Sequence, residues 1–238
     1  MSGSLAIPSN SGELYDAHDA DIALTRSLMQ GDIFEEVDIP GLEPGSRLAM
    51  VVMHPCSMRT GPTLRKRLTV IRVDKHQTLP FSKWPDSDYD FMPLPDFVYK
   101  GTNKPSLAAC FRDIGSIKTA DLDLQRRIVT LSARGILYLQ QRYIHSQTRV
   151  VVDLETLAAQ MLPIFDEIEL QEEWVDTALK VKGWVSNKIE AIQNFEKEFQ
   201  DFLSTDDHNM RHGLKIPERR TSVRRSVRLE IKRRYLET

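Results

Sequence analysis

Between residues 31 and 73 the chain alternates short apolar runs with turn signals, a pattern that predicts strands. Ile33 to Ile39 is the first strand-like segment, its apolar and polar residues alternating imperfectly. Pro40-Gly41 and Pro44-Gly45 make the next connection a loop. Arg47 to Met53 follows, with Leu48, Ala49, Met50, Val51, Val52 and Met53 unbroken, as expected of a buried strand. Gly61-Pro62 marks another turn, and Leu64 to Val73 closes with Leu68, Val70, Ile71 and Val73 as a β-branched third strand. Residues 76–96 carry Pro80, Pro85, Pro93 and Pro95 among Trp84, Tyr89 and Phe91, the composition of a covering loop. Phe97 to Lys100, Ala108 to Ile117 and Ile128 to Leu131 add further short strands. Several short strands separated by turns predict a small barrel rather than a parallel sheet.

Helical periodicity flanks this β-rich stretch. Upstream, Leu14 to Gln30 predicts a short helix with Ile22, Leu24, Leu28 and Met29 on its apolar side. Downstream, Ser132 occupies an N-cap position before Ala133 to His145, where Ile136, Leu139, Tyr143 and Ile144 share a face. Asp153-Leu154-Glu155 opens a second helix that should stop at or just before Pro163. A long helix is then expected from about Glu167 to Leu203. Its Ala178, Val181, Val185, Ile192, Phe195, Phe199 and Phe202 alternate threes and fours, with Lys188 the one polar interruption. This coiled-coil-like stripe suits packing on its own domain or on a partner or second copy through 167–203. The fold class is therefore α+β, a small barrel followed by a helical extension. Residues 1–30 form an N-terminal arm and short helix, 31–146 the barrel with a covering helix, 147–208 the helical extension, and 209–238 a basic C-terminal arm.

Composition excludes several classes. At 41% hydrophobic and 28% charged over 238 residues the chain is that of a globular protein. No apolar run approaches the roughly 18 residues of a membrane span. The first residues lack a basic region followed by an apolar one, so no secretory signal is expected. Two cysteines, Cys56 and Cys110, make no disulfide framework, which suits reduced thiols in a cytoplasmic protein. The net charge of −2 conceals an asymmetry: ten of the 32 Lys and Arg side chains, against three of the 34 acids, lie from Met210 onward. Such a tail predicts contact with nucleic acid, an anionic partner or the acidic body itself.

Candidate chemistry gathers around the second strand. His54-Pro55-Cys56 places an imidazole beside a thiol, with Arg59 three residues on. A thiolate so placed would be a nucleophile, as in a Cys56-dependent hydrolase or redox protein, provided the strand continues through Pro55. A structural cysteine is the simpler reading. His76, His145 and Cys110 show no zinc spacing, and neither a metal nor a cofactor is implied. Arg47 offers a fork suited to a phosphate or an ion pair. Arg59, Arg65, Lys66 and Arg67 make one rim basic, as an anion-binding face or a charged strand edge would be. In the tail, Val223, Val227 and Ile231 fall on one helical face. Arg219, Arg220, Arg224, Arg225, Arg228, Arg233 and Arg234 lie around them, an arrangement for phosphates or for an acidic protein groove.

The run Gly31-Asp32-Ile33-Phe34, a Pro/Gly loop, then Gly45-Ser46-Arg47-Leu48-Ala49-Met50-Val51-Val52-Met53-His54-Pro55 resembles the start of the MazF/PemK-like toxins. That resemblance covers residues 31–75. It implies a compact SH3-like barrel and a component of a bacterial toxin-antitoxin or phage defence system acting on single-stranded RNA. Arg47 falls where the family carries its catalytic arginine. Val73-Asp74-Lys75 stands where the family has a Ser or Thr, and Leu48 where it has a proline, so fold is implied more than catalysis. If the chain cuts, the resemblance implies metal-independent endoribonuclease-like chemistry, Arg47 stabilising charge on phosphorus and His54 moving a proton. The leading expectation is a nucleic-acid-associated barrel protein. The alternative is a scaffold or regulatory subunit using the long helix and basic arm.

Overall fold

The computed structural model describes residues 4–60, 63–86, 88–100, 102–104, 107–183, 187–205 and 209–237. The chain divides into two compact units, one of residues 1–24, 28–58 and 65–159, the other of 25–27, 59–64 and 160–238. The expected Gly61-Pro62 turn and Val185 lie outside the described residues.

The first unit is built on an antiparallel sheet of seven strands. These are β1 (Tyr15–His18), β2 (Ile33–Phe34), β3 (Leu48–Val51), β6 (Arg67–Lys75), β7 (Phe91–Leu94), β10 (Leu107–Lys118) and β11 (Arg127–Leu131). Their spatial order is β1-β11-β2-β3-β6-β10-β7, and the sheet curls into a half-barrel. A hairpin of β8 (Phe97–Tyr99) and β9 (Thr102–Lys104) stands apart from it, and β4 (Arg59–Thr60) pairs with β5 (Thr63–Leu64) in the second unit. In β6, Leu68, Val70, Ile71 and Val73 are all buried, each contributing about 1.5–3 kcal/mol of apolar burial. This strand lies between β3 and β10, with Leu48 opposite Val73 and Ile117 opposite Leu68. β7 lies at the sheet edge, where Pro93 is tolerated because no further strand needs its missing amide.

The segment from Leu14 to Gln30 is not a helix. Tyr15–His18 pairs with β11, and short 3₁₀ turns flank it. Three aspartates within six residues, together with Thr25 and Ser27, favour turns over helix. Tertiary contacts decide the rest: the Leu14 carbonyl accepts the Ser132 amide at 2.9 Å, and the Ser132 hydroxyl donates to the Glu13 carbonyl at 2.5 Å. Ser132 also caps the next helix as expected, its Oγ accepting the Gly135 amide at 2.9 Å. The strand expected over Ile33–Ile39 is only two residues long.

Two buried cations hold this unit together. Arg127 pairs with Asp32 at 2.8 Å, both side chains almost wholly inaccessible, tying β11 to the turn before β2. Arg142 lies on α2 (Ala133–Thr148), the second helix after the single turn α1 (Pro55–Met58). It donates to the carbonyls of Phe91, Trp84 and Asp88 at 2.8, 2.9 and 2.9 Å. One guanidinium thus pins the proline-rich cover, and burial lowers its pKa to about 10.

Apart from the β4–β5 pair, the described elements of the second unit are helical. The helix expected to stop near Pro163 continues through it, so that α3 spans Leu154–Lys182. A single proline removes one hydrogen bond from this long helix, and burial of Met161, Leu170 and Trp174 on either side outweighs that loss. Conversely, the continuous helix expected over 167–203 is two helices. Gly183 adopts φ +75°, the left-handed conformation that ends a helix, and its amide donates to the Leu179 carbonyl at 3.0 Å. Asn187 then caps α4 (Lys188–Leu203), accepting the Glu190 amide at 3.3 Å. Two more helices follow, α5 (Met210–Leu214) and α6 (Pro217–Ile231), with a π turn over Lys232–Leu236. The apolar stripe is buried inside this unit: Ala178, Ile192, Phe195 and Phe199 share a core with Val223, Val227, Ile231 and Tyr235 of the tail. Val181 alone of the described stripe is strongly exposed, at 48%. Among the described residues, no helix is long and apolar enough to cross a membrane.

Candidate functional site

Arg47 precedes β3 and is engaged by its own neighbourhood. Its Nε and Nη2 donate to the two carboxylate oxygens of Asp38 at 2.9 and 3.1 Å, and Nη2 also reaches the Glu36 carbonyl. Both partners are exposed. His54 and Cys56 lie beyond the other end of β3, and a strand advances about 3.3 Å per residue. The structure therefore does not bring Arg47 to them.

Nor does the strand continue through Pro55. It ends at Val51, and Pro55 takes the first position of the single turn α1, where its missing amide costs nothing. The His54 carbonyl accepts the Ser57 and Met58 amides, and its Nδ1 accepts the Cys56 backbone amide at 3.3 Å. The imidazole thus addresses the backbone, and desolvation lowers its pKa. Among the described residues no group of three or more His, Cys, Asp or Glu side chains is placed to hold a metal ion. His76 packs at a tilt against Phe91, His145 meets Tyr89 edge-on, and Cys110 sits half-buried on β10.

The basic rim divides. Arg59, on β4 in the second unit, reaches Glu196 at 3.6 Å. Arg65, Lys66 and Arg67 are exposed where β6 begins, and the antiparallel register places Lys118, at the end of β10, directly opposite Arg67. Side chains opposite one another on antiparallel strands share a face, where like charges repel. Arg67 is held in place by Ser116, donating to its hydroxyl at 2.9 Å and its carbonyl at 2.7 Å. Thr119 closes the end, its amide donating to the Lys66 carbonyl at 3.0 Å and its hydroxyl to the Arg65 carbonyl. None of these four cations has an ion-pair partner among the described residues. Sequence reasoning found Arg65, Lys66 and Arg67 but missed Lys118, which only the strand register adds to them.

The tail arginines meet a different fate. Asp166, Glu169 and Glu173 follow one another at helical spacing along α3. Arg220, Arg224 and Arg228 do the same along α6 and pair with them. Arg220 reaches Asp166 at 3.4 Å, Arg224 engages Asp166 and Glu169, and Arg228 reaches Glu169 at 2.9 Å and Glu173 at 2.8 Å. Asp166 is buried. Its charge requires these partners. Arg211 pairs with Glu167 at 3.3 Å, and Arg233 and Arg234 both bind Glu230. Arg234 also lies over the Trp174 ring, 5.1 Å from its centroid. The acidic body named as one destination of the tail is thus α3. Across the second unit as a whole, 16 basic residues meet 15 acidic ones. Arg219 lies exposed in the first turn of α6, and Arg225, further along, has no ion-pair partner among the described residues.

No known protein-family model matches the chain, and no curated protein is significantly similar to it.

Proposed function

We propose that the protein binds single-stranded nucleic acid, RNA in the first instance, through the rim formed by Arg65, Lys66, Arg67 and Lys118, and that it binds without cutting. One observation carries this reading. The strand register sets Arg67 against Lys118 with no carboxylate between them, an arrangement that costs stability in the free protein and is relieved when a phosphate enters. The Ser116 hydroxyl, which accepts from Arg67 and keeps its own proton to donate, suits a phosphate oxygen at the same end. The resemblance of residues 31–75 to MazF/PemK-like toxins supports RNA as the ligand and an SH3-like form for the half-barrel. Membership of a toxin-related or phage defence system rests on that resemblance. Engagement of Arg47 by Asp38, and of His54 Nδ1 by a backbone amide, argues against a nuclease centre at those residues.

The test is a salt-titrated binding and cleavage assay with single-stranded RNA, single-stranded DNA and duplex DNA. Four phosphate contacts on a single strand give a slope of log K against log salt of about −3. Arg65→Gln with Lys66→Gln and Lys118→Gln should flatten that slope and weaken binding, with the RNA left intact throughout. Unchanged binding by this variant, or no binding at low salt, overturns the reading.

A further inference from the structure

Pairing with α3 accounts for one side of α6 only. Beside those pairs Thr221, Arg224, Arg225, Arg228, Leu229 and Lys232 line an open groove of about 450 Å³, to which Arg224 and Arg228 belong as well as to the pairing with α3. Four of these six side chains are cations and none is an acid. Arg225, Arg228 and Lys232 follow one another at three- and four-residue intervals, so each is a neighbour of the next along the helix surface. A rise of about 1.5 Å per residue separates them by about 4.5–6 Å, a row that can meet successive phosphates of one strand.

Their engagement differs from that of the buried pairs. Arg224 and Arg228 share Glu169 at 2.8 and 2.9 Å. Arg225 has no ion-pair partner among the described residues, and Lys232 has only the exposed Glu237, at 3.3 Å. Leu229 lies among them 57% exposed, and Thr221 lines the same groove. An apolar side chain set among cations matches a strand whose phosphates alternate with apolar sugar and base faces. The helix widens into its π turn at Lys232, where the Glu237 amide donates to the Lys232 carbonyl at 3.1 Å. Such turns are frequent at functional sites.

We infer that this groove is a second phosphate-backbone contact for the same nucleic-acid ligand, so that each compact unit carries a contact of its own. The inference rests on the reading of the rim as a nucleic-acid surface. A lipid surface fits less well, because a helix lying in a membrane presents a continuous apolar face. The apolar positions of α6, Val223, Val227 and Ile231, are buried in the core of its unit instead.

The full chain is titrated, by fluorescence anisotropy over a range of salt, with a labelled oligouridine of about 20 nucleotides, long enough to engage more than one site. Vesicles containing phosphatidylserine are titrated in parallel. Three proteins are compared: the wild type, Arg225→Gln with Lys232→Gln, and Arg65→Gln with Lys66→Gln. Each pair of substitutions is on exposed side chains, and circular dichroism checks that both variants fold. The expected result is that each pair weakens RNA binding and flattens the salt slope by about 1.4, the value for two phosphate contacts on a single strand. An α6 variant with wild-type affinity and slope, beside a weakened rim variant, overturns this inference and leaves the rim reading standing. Loss of binding in the α6 variant with none in the rim variant overturns the rim reading and, with it, the groove as a second contact, leaving α6 as the one site. Failure of the wild type to bind RNA, or binding to vesicles alone, overturns both.

Discussion

Arg67 and Lys118 stand directly opposite each other where β6 and β10 meet, two cations on one face with Ser116 rather than a carboxylate holding the guanidinium. A cross-strand pair of like charge destabilises a sheet, and one of opposite charge stabilises it, by about 0.2–1 kcal/mol. Lys118→Glu should therefore raise the stability of the protein by up to about 1 kcal/mol in urea denaturation while weakening RNA binding. A substitution that stabilises the fold and impairs the ligand separates a functional position from a structural one. A Lys118→Glu protein that is less stable than the wild type would remove the argument.

Arg47 should matter little to either property. Its ion pair with Asp38 is exposed on both sides, and such pairs contribute about 0–1 kcal/mol. Arg47→Ala is expected to leave thermal stability and RNA affinity nearly unchanged. If instead the wild type cuts RNA and Arg47→Ala does not, the protein is a divergent nuclease and the non-catalytic reading fails.

Arg142 lies at the other extreme. Its replacement by Met keeps much of the side-chain volume but leaves the carbonyls of Trp84, Asp88 and Phe91 without their donor. Only the bond to Trp84 is fully buried, and an unpaired buried acceptor costs about 1–3 kcal/mol, so a loss of about 1–3 kcal/mol is expected in chemical denaturation. Arg142→Lys should recover only part of it, because an ammonium cannot reproduce the planar fork. Near-wild-type stability for the Met variant would show that the cover holds without this pin.

Glu230 gives the second unit a pH signature. Hydrogen bonds from Arg233 and then Arg234 hold its carboxyl at about 2 against an ordinary value of 4.5. A carboxyl depressed in the folded state contributes stability that is full above its unfolded value and disappears as pH falls through the folded one. The contribution of Glu230 should therefore be intact at neutrality and fade between pH 4.5 and about 2. Denaturation of the wild type and Glu230→Gln should show a gap near neutrality that narrows in acid. A gap independent of pH would mean that the side chain acts through packing instead.

Some of this was legible from residue order and some was not. The apolar runs in β3, β6 and β10, the Ser132 cap and the Val223, Val227 and Ile231 face of α6 all appear where local periodicity put them. Leu14 to Gln30 misled because its apolar residues also suited a helix. Contacts with β11 and Ser132, more than a hundred positions away in sequence, decided otherwise. The break at Gly183 could have been read from the glycine itself, but the heptad-like spacing on either side concealed it.

Charge divides the two kinds of knowledge most clearly. The sequence by itself determined that the protein is α+β, that its tail is a basic amphipathic segment, and that cations cluster near the third strand. Those properties depend on residue type and on neighbours within a few positions, which helical and strand periods already encode. Only the tertiary structure decided which cations remain available. Arg224 meets Asp166 across 58 positions and Arg67 faces Lys118 across a strand register, and Coulombic pairing depends on distance in space, which residue order does not specify.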